Sequence, residues 1–246
     1  MEVKEFGENN KEVLIFLHGG GLSWWNFLDE INLLKEDYHL VLPILDGHSG
    51  SDSDFASIED SAQKIIELID EKFHGGVKLM AGLSLGAQIL LEVLSRRSDA
   101  CEYAIVESAL VYPLPMTLKL IAPSINISYG LINKKWFSKL QFNSLKIKSS
   151  LFNYYYEDTC AITKANLTAF MQANSNYQIK KSLSKCMAKA LILVGSKERP
   201  IMKKSAYELH SVIKNSEMEI LNGYSHGDIS INHADEYVNK LKKLVQ

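Results

Sequence analysis

Six short apolar runs punctuate the chain: EVLIFL (Glu12 to Leu17), YHLVLPIL, VKLMAGL, CEYAIVE, KALILVG and MEILN. Runs this short, bounded by glycines and polar clusters, have the character of buried strands. Helical spacing fills several of the gaps between them. Trp24 to Lys35 and Leu85 to Arg97 fit helices, as do Pro200 to Ile213 and Ala234 to Leu244. The clearest signal starts at Ser57, which with Asp60 makes a capping-box-like pair. Ile58, Ala62, Ile65, Ile66, Ile69 and Phe73 then fall on one helical face. Strands that alternate with helices require crossover connections, so the expected fold class is α/β, a mostly parallel, doubly wound sheet. From Pro113 to Lys189 the alternation stops, and helical, aromatic-rich sequence takes over. The expected organisation is a core of residues 1–112 and 188–246 with a helical cap inserted at 113–187. Pro113 and Pro115 mark the cap's first hinge.

Composition narrows the function classes. At 246 residues, 46% hydrophobic and 23% charged, the chain is long enough for a sizeable core. A formal net charge of −2 gives no general attraction to nucleic acid. Cys101, Cys160 and Cys186 are odd in number and widely spaced, without disulfide or metal-ligand patterning. The polar N-terminus MEVKEFGENNKE does not resemble a signal peptide, and no apolar run is long enough to span a membrane. These features predict a cytoplasmic protein with no nucleic-acid partner and no stable membrane insertion.

The stretch GLSLG (Gly82 to Gly86) lies where the VKLMAGL strand becomes a helix. A sharp strand-to-helix turn strains its central residue and tolerates only small neighbours, and Gly82, Gly86, Ala81 and Ala87 are small. Ser84 would then stand at the carboxyl end of a parallel strand, where open α/β sheets place their sites. LHGGGLS (Leu17 to Ser23) ends an earlier strand and lets the backbone approach a substrate closely. The expected oxyanion donors are the N–H groups of Gly20 and of Leu85 at the start of the following helix. A phosphate-binding alternative lacks the G-K-[ST] ending and the spaced G-x-G-x-x-G. His18 has the position of a structural histidine on the oxyanion side, and Asp46 that of a residue fixing its own turn through backbone N–H groups.

Taken together, LHGGGLSWW, LDGHSGSD, GLSLG, VGSKE and GYSHGD resemble the α/β-hydrolase superfamily, in its order and over nearly the whole chain. The pairing of HGGGL with GLSLG is most similar to small bacterial carboxylesterases and their biotin- and menaquinone-pathway relatives. The resemblance implies a serine nucleophile at Ser84 and a base at His226, in the loop after the last strand. His48, in the glycine-rich loop, is the competing histidine. The resemblance puts the acid after KALILVG, where this chain carries Glu198 in place of the usual aspartate. Glutamate is accepted in that role. Glu107, after the strand that follows the elbow helix, and Asp228, close to His226, remain alternatives.

The expected activity is hydrolysis of a carboxylic ester of a small or medium acyl group through an acyl-enzyme on Ser84. Its partner is a small-molecule ester, and neither metal nor organic cofactor is implied. Thioester, amide or carbon–carbon bond cleavage and acyl transfer use the same parts, and a receptor with an idle triad is a further reading. Trp24 and Trp25, just after the oxyanion loop, are the expected substrate contacts. Between Ser108 and Tyr156 there are six lysines (119, 134, 135, 139, 146 and 148) and no Asp or Glu. That bias is either a set of solvated helix faces or a device for an anionic substrate or membrane.

Overall fold

The computed structural model describes residues 1–246. Seven strands form one sheet: β1 (Val3–Phe6), β2 (Val13–Leu17), β3 (His39–Pro43), β4 (Val77–Leu83), β5 (Cys101–Glu107), β6 (Lys189–Gly195) and β7 (Ser216–Leu221). Their order is β1-β3-β2-β4-β5-β6-β7, parallel throughout except that β1 runs antiparallel to β3. The six apolar runs are β2 to β7. β1 was not among them, because its sequence VKEF is short, half polar and only partly buried. Tertiary pairing secures it instead. His39 on β3 bonds Glu5 at 2.8 Å, and Lys72 pairs with the same carboxylate.

Ten helices flank or cap the sheet: α1 (Leu28–Leu34), α2 (Ile58–Phe73), α3 (Leu85–Arg96), α4 (Pro115–Ser128), α5 (Lys135–Ser144), α6 (Phe152–Ala161), α7 (Lys164–Asn176), α8 (Pro200–Val212), α9 (Asp228–Asn232) and α10 (Ala234–Val245). The helix expected over Trp24 to Lys35 begins as a tighter 3-10 turn at Trp24–Phe27 before α1. Ser57 caps α2 as expected, its hydroxyl accepting from Asp60 N–H at 2.9 Å.

The period of two along each strand divides the core into two layers. Ile15, Leu17, Met80, Val106 and Ile192 pack with α2, α3 and α8, whereas Leu14, Phe16, Leu79, Ile105 and Leu191 pack with α1 and α10. Between β5 and β6 the chain makes α4 to α7 and no strand. Pro115 occupies the first turn of α4, where its missing N–H breaks no helical bond. The segment's Leu145, Ile147, Phe170 and Met171 meet β4 and the loop after β2 around one cavity.

Candidate active site

β4 ends at Leu83, and the chain reverses into α3 within one residue. That residue, Ser84, has φ 53° and ψ −109°, a conformation L side chains rarely adopt. Two glycines make the turn possible. A Cβ on Gly82 would lie 2.6 Å from the Gly86 backbone, and one on Gly86 would strike the Leu17 carbonyl. Ser84 opens into a cavity of about 270 Å³, lined largely by apolar side chains and shared with His226.

His226 follows β7 in the loop before α9. Its Nδ1 donates to Glu198 Oε2 at 2.7 Å. Glu198 sits between β6 and α8, and its second oxygen accepts from Gly195 N–H and the Ser108 hydroxyl, both at 2.8 Å. Burial would raise this carboxyl, but the bonds from His226, Gly195 and Ser108 together hold it below its ordinary value. The acid is almost fully enclosed while the histidine side chain is 48% exposed. The imidazole is therefore anchored from behind and open toward the cavity.

The other acidic candidates point elsewhere. Asp228 accepts from Ser225 N–H and Asn232. Glu107 is fully buried and faces Ser230, and burial pushes it up to about 7. Of the three, the structure brings Glu198 into bonding contact with His226.

Around the glycine loop, the internal bonds leave one amide free. Gly19 N–H donates to Asn26 Oδ1 at 3.3 Å, and Gly21 N–H to His48 Nε2 at 3.0 Å. Gly20 N–H has no acceptor in the protein, nor has Leu85 N–H at the first turn of α3. Gly20 and Leu85 both line the cavity with Ser84. His48 is thus a support for this loop. Its Nδ1 donates to Asp46 O at 3.1 Å, and its ring stacks on Phe170 with centroids 4.5 Å apart. Burial lowers it to about 4, so it stays neutral and keeps Nε2 as an acceptor. His18 is also buried and neutral, with Nε2 accepting from Leu45 N–H at 3.1 Å.

Two expectations are corrected. Trp24 and Trp25 do not line the cavity. Trp25 is buried and donates through Nε1 to Asp158 at 2.6 Å, and Trp24 packs against Phe6 and Tyr154. The 3-10 turn sets Trp24 between Phe6 of β1 and Tyr154 of α6, and Trp25 against Tyr154 and Asp158 of α6. Asp46 does not bond its own turn's N–H groups. It accepts from the Ser51 hydroxyl at 3.3 Å and pairs with Lys64 at 2.6 Å. Asn26, Ser108, Ile147, Met171 and Asn174 belong to the site or its support and carried no sequence signal; Asn26 comes from the turn just after the glycine loop, and the other four from distant elements.

Residues 14–239 match the model of the alpha/beta hydrolase family, and the chain belongs to that family. An AB hydrolase superfamily protein of Gibberella zeae is 30% identical over 104 residues, 39% of this chain and 35% of that protein. The chain therefore matches about a third of that relative's length. Among solved structures, an esterase from Exiguobacterium antarcticum superposes with a TM-score of 0.83 at 17% identity, covering 99% of this chain and 94% of that one. A bromoperoxidase from Bacillus anthracis gives 0.82 at 18% identity, with 99% and 94% covered. At such identities the likeness is one of fold. No helix is long and apolar enough to cross a membrane.

Proposed function

We propose that this protein is a serine hydrolase that cleaves carboxylic esters of small or medium acyl groups. The observation that carries the reading is the convergence on one apolar cavity of a strained serine and a histidine anchored by a buried carboxylate. Ser84 attacks the ester carbonyl as His226 takes its proton. Glu198 keeps the proton on Nδ1, so Nε2 is the basic nitrogen, and it stabilises the imidazolium that forms. The free N–H groups of Gly20 and Leu85 receive the developing oxyanion, each worth on the order of 3 kcal/mol of barrier. His226 then protonates the departing alcohol and activates the water that releases the acyl group. Residues 113–187 act as a cap whose Leu145, Ile147, Phe170 and Met171 surround the acyl chain. The cavity, near 270 Å³, suits a short or medium chain.

A fluorophosphonate probe tests the reading. Wild type should label at one site per chain, and Ser84→Ala should fold but not label. An unlabelled, folded wild type with no ester turnover would make the protein a receptor of the same fold.

A further inference from the structure

Exposed apolar side chains are not spread evenly over this molecule. Of its thirteen large exposed hydrophobics, nine lie between Met116 and Met171, less than a quarter of the chain. They follow helical geometry. α4 buries Ile121 and Ile125 and turns Met116, Leu120 and Ile127 outward. α5 buries Ser138 and Phe142 and turns Trp136 and Leu140 outward. Ile127 is 84% exposed and Trp136 65%. Isolated exposure of this kind is ordinary, but stripes on successive helices are the pattern of an interaction surface.

From Ser108 to Tyr156, a stretch that includes α4 and α5, every charged side chain is a lysine. Lys119, Lys134, Lys135 and Lys139 belong to no ion pair of the molecule, whereas Lys148 pairs with Asp29. No carboxylate side chain occurs between Ser108 and Tyr156. The surface also reaches the cavity mouth. Leu145, directly after α5, and Met171, on the helix packed along α4, are both exposed and both line the cavity beside Ser84. Lys146 stands at that rim, bonded to the hydroxyl of Ser225, the neighbour of His226.

We infer that α4 and α5 form a docking surface for an anionic lipid bilayer, and that the ester reaches Ser84 from that bilayer past Leu145 and Met171. This names the substrate class of the proposed hydrolase, amphiphilic esters residing in a lipid surface, and rests on that reading. Apolar side chains flanked by unpaired lysines match a surface that is apolar inside and negative at its headgroups. A second copy of the chain fits poorly. A symmetric contact through this face would set lysines against lysines with no carboxylate between them.

Trp136 supplies the reporter, because Trp25 is buried and Trp24 is packed between Phe6 and Tyr154. Purified protein is mixed with vesicles of phosphatidylcholine and phosphatidylglycerol in equal parts, or of phosphatidylcholine alone. Sedimentation, tryptophan emission and quenching by brominated acyl chains are followed. The expected result is binding to the anionic vesicles that weakens with salt, with a blue shift and quenching lost in Trp136→Phe. Replacing Lys134, Lys135 and Lys139 by alanine should weaken partitioning by about a hundredfold, about fivefold per lysine. Ile127→Ser with Leu140→Ser should abolish quenching. All these side chains are exposed, so the variants should keep wild-type turnover of a soluble short-chain ester.

Ser84→Ala should bind vesicles as wild type does, which separates docking from catalysis. No partitioning, or equal partitioning into both vesicle types, overturns the docking surface even when soluble esters are turned over. Self-association that hides Trp136 without vesicles, or binding of a protein partner alone, overturns it as well. Vesicle binding without turnover of any ester leaves the surface standing and removes the hydrolase reading.

Discussion

Glu198 shows how one side chain can be buried and still serve as an anion. Three donors converge on it, from His226, Gly195 and Ser108, and they outweigh the cost of enclosure. Glu198→Gln keeps the shape but allows the other tautomer of His226, in which Nε2 carries the hydrogen and cannot take the Ser84 proton. The expected loss in kcat is about a thousandfold or more with KM little changed, read from steady-state turnover of a chromogenic ester. A loss under tenfold would mean that His226 does not depend on this carboxylate. Ser84 was legible at this scale because a strained turn demands small neighbours in sequence. The direction of Trp24 and Trp25 was not, because it depends on Asp158 and Tyr154, more than a hundred residues away.

The local rules of capping and close packing carry most of the element scale. Ser57 caps α2 through Asp60 N–H and is not among the residues lining the cavity. Ser57→Ala should therefore lower unfolding free energy by about 1 kcal/mol and leave turnover unchanged, as measured by urea denaturation beside ester assays. A larger loss would mean that the Ser57 hydroxyl does more than cap α2, because the variant keeps the Ser57 carbonyl to which the Ser61 hydroxyl donates at 3.0 Å. The β4 to α3 turn is held differently. It depends on the approach of α3 to the end of β2, where Gly86 meets the Leu17 carbonyl. Helix periodicity revealed α2, α3, α8 and α10, because their apolar stripes face the sheet. β1 lacked such a signature, since an edge strand buries too little to need one.

Across the whole molecule, carboxyls of opposite behaviour shape the response to pH. Glu107 and Glu30 are buried and raised, Glu107 to about 7, by desolvation first. Tyr237 is buried near them, and neither its hydroxyl nor the Glu30 carboxyl has a bonding partner. A raised carboxyl binds its proton more tightly folded than unfolded. Its contribution is fully present below the unfolded value of 4.5 and is lost as pH climbs through about 7. Glu198, being lowered, acts in the other sense, contributing above its unfolded pKa and losing that contribution as pH falls through the folded one. Glu107→Gln should thus stabilise the protein at pH above 7 by on the order of 3 kcal/mol and have little effect below pH 4. Urea midpoints across that range check it. An unchanged slope would mean that Glu107 does not hold a proton in the folded state.

Sequence alone determined the alternation of strands and helices, the helical interruption after β5, and the residues able to form a strained strand-to-helix turn and a glycine loop. Those are local matters of periodicity, size and backbone freedom, and they are written within a few neighbouring positions. Tertiary structure decided which carboxylate meets His226, which amides stay free, and which faces of α4 and α5 remain uncovered. Each of those depends on side chains from separate strand ends and helices arriving together, and parallel register brings Ser84, Ser108 and Glu198 to the carboxyl ends of three neighbouring strands. A chain read one segment at a time carries no measure of that convergence.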